Sequence, residues 1–493
     1  MESLIYTTSV LDSRHSLQYK HFYQFTRFIK PTLHYTWVEM EKPIKYMKNA
    51  KIIMERGKCS WGRCYFCGWG KKIVDASIED LKKRYKRFIE KVVKKKGIEV
   101  VEILPSGSFL DERQFPREFV KYCIEEAKKA GVKAVIIESR PEFINDEILQ
   151  YIKVEGIEIH VAIGLEIADD EILLKYYNKG ITVKDYLRAV ETLRRNGFKV
   201  RTYILVNGHP ILQDFNLHYK LLKKTMNLVL KMSDSVVIIN TYPHLKSELW
   251  EDWINLRWKP LDKEQFLKLV GEWAEDPRVE LDFNNLNFIP KFPREKKIPL
   301  KGVGKEYLLH PYYEVWQDFF VRFYEPPPGK EYLLFAPCSY KKPYTRSKTW
   351  RAFLGRISGY PFFKKIHIVV VSTPGVIPYE FINYYPFNAY DWPLWLETEE
   401  MKKEYIKVTI ERVKKYVEKH KDRYKLYFVY LKSDPESMIA IRNAFKELGL
   451  EDKLIDTVSD ETYKRIVEEG FKPALAHPAA VNELAETLKK YLG

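Results

Sequence analysis

The chain has 493 residues, with 83 Lys and Arg against 67 Asp and Glu for a formal net charge of +16. That length exceeds one ordinary hydrophobic core, so two or three domains are expected, and the charge points to a polyanionic partner, nucleic acid foremost, although lysine-rich surfaces also mark heat-adapted proteins. Only five cysteines occur and three are clustered within nine residues, which argues against a disulfide framework and favours a metal or cluster site in a reducing compartment. No apolar run is long enough to span a bilayer, and the N-terminal stretch lacks the basic-then-apolar order of a secretory signal, so a soluble, cytoplasmic protein without a membrane partner is expected.

In chain order, residues 1–48 read as an N-terminal extension. The first chemical signal follows as CSWGRCYFC, with Cys59, Cys64 and Cys67, and then Gly68-Trp69-Gly70. Three thiolates leave one of four coordination positions open, as in a 4Fe-4S cluster that presents one iron to a second molecule. A closed zinc site is the alternative, but it needs a fourth ligand and no histidine stands at a suitable spacing. Cys123 and Cys338 cannot by themselves hold a second cluster.

Strand and helix signals then alternate. Ser77 caps a helix whose apolar face carries Ile78, Leu81, Tyr85 and Val92, stopping near Gly97. Strands are predicted at VVEILPSGSF, KAVIIES, IEIHVAIGLE, FKVRTYILV, SDSVVIIN and VELDF, with amphipathic helices such as REFVKYCIEEAKKAG and VKDYLRAVETLRRNG between them. This cycle predicts an α/β fold of parallel strands joined by right-handed crossovers. The Pro-, Gly- and Lys-rich stretch over 291–329 reads as a linker, and a second α/β unit follows over 330–493.

The cysteine loop resembles that of the radical-SAM superfamily, except that its first gap holds four residues where three are commonest. The resemblance implies a partial (β/α)6 barrel over residues 49–290, a 4Fe-4S cluster on Cys59, Cys64 and Cys67, and S-adenosylmethionine as cosubstrate. It also implies that Phe66 lies against the adenine, and that Ser106-Gly107-Ser108 is the turn that receives the methionine amino group. Glu138, Ser139 and Arg140 end one strand, and Gly164 and Glu166 the next; ligands of such sheets gather at strand carboxyl ends, so these are candidates for cosubstrate or substrate contacts. Glu112 and Arg113 join that candidate set.

Read together, LPSGSFLDERQFP, IIESRPEFI, AIGLEIADDEI, NKGITVKDYLRA and FKVRTYILV resemble the radical-SAM subunit of archaeal archaeosine synthase over roughly residues 45–285. That resemblance implies a C–N lyase acting on a lysine adduct of 7-cyano-7-deazaguanosine in tRNA, and a protein partner from the same pathway. PCSYKKPYTRSKTW, with Cys338, Lys342, Tyr344 and Ser347, resembles the catalytic core of the lysine-transferring partner enzyme, a relative of tRNA-guanine transglycosylases. A thiol beside Lys and Tyr is suited to addition at a nitrile; the alternative is a tRNA-positioning domain. One departure stands out: Trp350 occupies the place of the family's histidine, which leaves His367 as the candidate substitute. Basic runs at Lys82–Arg87 and Lys341–Arg351 are candidate tRNA surfaces. Two further readings remain at this level, another radical-SAM tRNA modifier of the acetyltransferase-associated type and a tRNA-binding scaffold with a structural cluster.

Overall fold

The computed structural model describes residues 43–283, 289–340 and 342–493. Most of the expected extension over 1–48 lies outside them. Of these residues, 43–253 and 257–283 form one compact unit, and 254–256 with those from 289 onward form a second.

The first unit is built on a seven-stranded sheet in strict chain order. Its strands are β1 (Asn49–Met54), β2 (Val100–Pro105), β3 (Ala134–Glu138), β4 (Glu158–Glu166), β5 (Lys199–Val206), β6 (Ser235–Asn240) and β7 (Val279–Asp282). Every neighbouring pair is parallel. The expected barrel of six strands thus gains β1, whose lysine-bearing sequence NAKIIM is a weak strand signal by itself but alternates half-buried and buried positions once paired with β2.

Period-two alternation assigns the two faces. Val101, Ile103, Val135, Ile137, Val161 and Ile163 join the large core beneath the helices. Val100, Ala134, Ile136 and Ala162 form a smaller cluster on the other face, with Tyr203 packed against it. The helices follow their caps: the Ser77 side chain accepts the Asp80 amide ahead of Ile78–Phe88, and Thr182 and Asp185 make a reciprocal capping box ahead of Val183–Arg195.

The second unit takes in the stretch expected to be a linker. Residues 291–329 contain β8 (Leu300–Lys301) and the helix Pro311–Arg322. Trp316 is fully buried there, and its indole N–H donates to the Tyr385 carbonyl at 3.1 Å. Proline and basic residues at both ends disguised an aromatic interior helix as a connector. The main sheet has the order β11 (Gly375–Pro378), β10 (Ile366–Ser372), β9 (Tyr332–Pro337), β13 (Leu426–Val429) and β14 (Leu454–Asp456). Only β11 runs antiparallel. β8 pairs separately with β12 (Tyr390–Asp391). Among the described residues no helix is long and apolar enough to cross a membrane.

Candidate functional site

The cysteine loop hangs from the carboxyl end of β1. Its base is closed by reciprocal backbone bonds between Gly57 and Val74, at 2.7 and 3.0 Å. Within it the Cys67 amide donates to the Cys64 carbonyl at 3.2 Å, and the Gly70 amide points at Cys67 Sγ at 3.5 Å. The loop is moored at Tyr65, whose amide donates to the Tyr177 carbonyl and whose carbonyl accepts the Leu249 amide, at 2.9 and 3.2 Å. The Tyr65 hydroxyl donates to Asp252, which also pairs with Arg257 at 2.6 Å.

Glycines make the close approaches. A Cβ on Gly70 would stand 3.1 Å from Cys59 Cβ and 3.6 Å from its sulfur; one on Gly107 would stand 2.3 Å from Gln114 Oε1 and 3.0 Å from Cys59 Cα. The 106–108 turn therefore abuts the first cysteine directly. Gln114 holds it there, accepting the Ser108 amide at 3.0 Å and donating to the Arg56 carbonyl at 2.9 Å. Ser106 Oγ is buried with no hydrogen-bond partner, as expected of a group that serves a ligand.

The expected strand-end residues converge on the same loop. Ser108 and Ser139 share a hydroxyl contact at 2.9 Å. The Arg140 guanidinium donates to the Lys179 carbonyl at 3.0 Å and lies 5.5 Å from the centre of the Trp61 ring. Glu166, at a positive φ of 69° after a register shift in β4, pairs with Lys179 at 2.7 Å, and both side chains are buried. A Cβ on Gly164 would stand 2.4 Å from the Glu166 carboxylate, so only glycine leaves room for the pair. Phe66 packs edge-on against Tyr177 at 5.1 Å, with the Lys179 ammonium 5.8 Å from its ring centre.

Lys179, Gln114, Tyr65 and Asp252 were not singled out from the sequence. Their roles arise from pairing across elements, and no local motif marks them. Two expected contacts point elsewhere. Glu112 is taken by Arg117 in a two-pronged pair on the surface, and Arg113 pairs with Asp111 and lies over Phe143. Asp111 itself reaches the loop, accepting the Ser60 hydroxyl.

Burial pushes the Cys64 thiol up to about 11 and raises Cys67, while the cations of Lys179 and Arg140 act against the rise at Cys64. Burial disfavours the Lys179 charge, but Glu166 and Cys64 hold its ammonium above the ordinary lysine range. Burial, then the Glu102 carboxylate, pushes Glu138 up to about 8. Glu102 is held ionised by Lys51 at 3.0 Å, and accepts the Tyr203 hydroxyl at 2.8 Å.

Three thiols on one glycine-cradled loop, two cations beside them and an unpartnered serine hydroxyl fit a 4Fe-4S cluster with one iron left for a cosubstrate. Among the described residues no three His, Cys, Asp or Glu side chains gather closely enough to hold a single metal ion.

A second constellation lies in the other unit, at the carboxyl ends of β9 and β10. Cys338 follows β9 and is exposed. Lys342 donates to the Ser339 carbonyl at 2.6 Å and lies 4.1 Å from the centre of the Tyr390 ring. Tyr390 links Tyr344, at 3.0 Å, to Ser372, at 2.5 Å. Burial lowers the pKa of Lys342.

Ser347 is not part of this group, because its hydroxyl caps the helix Lys348–Ile357 by accepting the Trp350 amide at 3.2 Å. His367 is no substitute for the family histidine. It stands near the amino end of β10, enclosed by Tyr324, Tyr424 and Glu380. Trp350 is fully buried, stacked between Tyr344 and Tyr379, with its N–H donating to the Pro337 carbonyl at 3.0 Å.

Comparison with known proteins agrees with this division. Residues 57–222 match the Radical SAM superfamily, and residues 314–469 match a domain of unknown function, DUF5591. The chain is 30% identical over 172 residues to archaeosine synthase subunit beta of Methanosarcina acetivorans, covering 32% of this chain and 48% of that protein. It is 32% identical over 148 residues to the subunit beta of Thermococcus kodakarensis, covering 29% of this chain and 46% of that one. It is 38% identical over 78 residues to archaeosine synthase subunit alpha of Thermoplasma acidophilum, covering 15% of each. The chain thus spans about half the length of the beta subunits that it matches. It carries a radical SAM domain, with a 4Fe-4S cluster and S-adenosylmethionine as its cofactors, followed by a separate domain of the DUF5591 family.

Proposed function

We propose that the chain is a tRNA-modifying enzyme of archaeosine biosynthesis, whose radical SAM unit cleaves the lysine C–N bond in the lysine adduct of 7-cyano-7-deazaguanosine. The carrying observation is the charged shell around the cysteine loop. Glu138 and Arg140 stand at the end of β3 and Glu166 at the end of β4, where Lys179 from the loop ahead of Val183–Arg195 pairs with it, a set suited to a cosubstrate and a lysine moiety that each bear a carboxylate and an ammonium. Similarity to two archaeosine synthase beta subunits supports the same substrate.

When bound, the cluster and S-adenosylmethionine supply a 5'-deoxyadenosyl radical, the species able to take hydrogen from the lysine carbon next to nitrogen. The chain's own residues bind and orient. The turn at Ser106–Ser108, whose Ser106 hydroxyl has no protein partner, would hold the cosubstrate, and the buried Lys179–Glu166 pair keeps a fixed cation beside Phe66. The net charge of +16 suits a tRNA substrate. Exposed Arg346, Lys348 and Arg351 form a candidate contact surface, while Lys341 lies outside the described residues.

The test is anaerobic incubation of the reconstituted protein with tRNA bearing the lysine adduct, read by nucleoside mass spectrometry. Archaeosine and 5'-deoxyadenosine in equal amounts are expected. Deoxyadenosine with a different modified nucleoside would overturn the substrate, and tRNA binding without deoxyadenosine would overturn the enzyme class.

A second reading concerns the DUF5591 unit, in which the Cys338 thiol adds to the nitrile of the unmodified base ahead of lysine transfer. An exposed thiol beside a cation and a linked pair of tyrosines favours it over a purely positioning role. The similarity to an archaeosine synthase alpha subunit points the same way.

A further inference from the structure

The seven-stranded sheet of the first unit is curled, and its inner face is the one that carries Val100, Ala134, Ile136, Ala162 and Tyr203. The Tyr203 hydroxyl on β5 donates to Glu102 on β2 at 2.8 Å, with β3 and β4 between them. On a flat sheet those strands would lie about 14 Å apart and side chains standing off it would not meet. Lys51 pairs with the same Glu102 at 3.0 Å, and Arg201 pairs with Glu280 at 2.5 Å. Glu102 and Arg201 are each 3% exposed, so these groups form the closed floor of the concavity.

Toward the carboxyl ends, from which the cysteine loop hangs, the same face opens on four adjacent strands. Glu102, Ile136, Ala162 and Arg201 are buried, whereas Leu104, Glu138, Gly164 and Tyr203, each two residues further on, are part-exposed. Glu138 is paired in the sheet with Ala162, and Gly164 follows on β4. That strand therefore sets only a methyl group beside the Glu138 side chain.

The cations around this opening are already taken. Lys51 is held by Glu102, Arg201 by Glu280, Lys179 by Glu166 and Arg140 by Glu142, at 3.0, 2.5, 2.7 and 2.5 Å. Glu138 has no ion-pair partner among the described residues. With every neighbouring pair neutral, the surplus carboxyl either keeps its proton or meets a cation that comes from outside. Burial, Glu102 and Glu166 favour the proton, against Lys51 and the Tyr203 hydroxyl.

We propose that Glu138 holds the cationic nitrogen group of the substrate, its carboxylate pairing with the amidinium that joins the lysine side chain to the base. This rests on the C–N lyase reading above. An N-substituted amidine is a strong base and a planar cation at neutral pH, and its two N–H groups match the two oxygens of a carboxylate. The bond to be cut belongs to that amidine, so the pair orients it. Docking of the cation displaces the Glu138 proton to solvent, and the concavity stays neutral whether empty or filled.

The test is calorimetric titration of the reconstituted protein, with S-adenosylmethionine but no reductant, using tRNA that bears the lysine adduct. Titrations in two neutral buffers of different ionisation enthalpy count the protons released. Wild type should release about one proton per adduct bound, and tRNA bearing the uncharged nitrile base should release none. Glu138→Gln keeps the shape of the protonated acid and should fold as wild type does. It should lose the proton release and raise the KM for adduct tRNA about 10- to 100-fold, with S-adenosylmethionine affinity unchanged. tRNA carrying a 6-aminohexanoate adduct, which keeps the amidinium but lacks the α-ammonium, should release the same proton; no release from it would overturn the amidinium as the occupant. Wild-type KM and proton release in Glu138→Gln would overturn the role of Glu138 alone, as would a loss of S-adenosylmethionine affinity with the KM for tRNA unaltered. Failure of wild type to cleave the lysine adduct under reducing conditions would overturn the lyase reading and this proposal with it.

Discussion

Two thiol sites each follow the carboxyl end of a strand, one at the edge of a parallel sheet and one at the centre of a mixed sheet, and they are built by opposite means. The three cysteines after β1 sit on a loop held from outside: a two-bond bridge at its base, the Tyr65 moorings, and glycines at 70 and 107 that let backbone touch Cys59. Cys338 after β9 is a single exposed thiol among side chains that bond to one another, from Tyr344 through Tyr390 to Ser372. The first site positions ligands for a group that brings its own chemistry. The second, on the proposed thiol reading, would draw its chemistry from neighbouring side chains. Strand ends suit both because loops there are free to vary while the sheet keeps them in place.

Removing the ligands should break the contrast most completely. Changing Cys59, Cys64 and Cys67 together to Ala should abolish iron incorporation and the visible absorption of the cluster after anaerobic reconstitution, while base addition at Cys338 persists. Simultaneous loss of both would show that the two sites do not act independently.

Next in size is the buried pair beside the cysteine loop. Glu166→Gln leaves the Lys179 ammonium buried without its partner, a change that costs about 3–5 kcal/mol and should appear as a lower denaturation midpoint. In the second unit, Trp350→Phe keeps an aromatic ring against Tyr344 but leaves the Pro337 carbonyl without its indole donor. A loss of about 1–3 kcal/mol is expected, with the Cys338 adduct rate nearly unchanged; a large rate loss would assign Trp350 a chemical role.

Glu138 offers a smaller, pH-dependent test. Its folded-state value near 8 lies above the unfolded carboxyl range, so the folded protein holds the extra proton. Its contribution to stability is complete below the unfolded value and is lost as pH rises from there through about 8. Melting temperatures of Glu138→Gln and wild type should therefore diverge in favour of the variant toward pH 8 and level off above it. Smallest of all, Glu112→Gln removes a surface partner of Arg117, and no change in cosubstrate turnover is expected.

The cysteine spacing, the turn at 106–108 and the order of strands were legible because each is local: ligand residues adjacent in sequence, small residues after an apolar run, periodic helices between them. β1 escaped because NAKIIM is short and carries a lysine that finds Glu102 only across the sheet. The helix Pro311–Arg322 escaped because its flanks read as a connector, and its burial depends on Tyr385 and β11, far along the chain. Glu112 was misassigned for the converse reason, since its proximity in sequence to the turn said nothing of Arg117.

By itself the sequence determined the chemistry of the first site, because three thiolates within nine residues leave few other uses for that loop. Only the tertiary structure decided which charges accompany it and which side chains surround Cys338. Lys179 meets Glu166 where β4 shifts register at its carboxyl end, and Tyr390 joins Tyr344 to Ser372 beside Cys338. Ion pairs and hydroxyl contacts join residues far apart in the chain, and their spacing is set by sheet geometry, which no local pattern encodes.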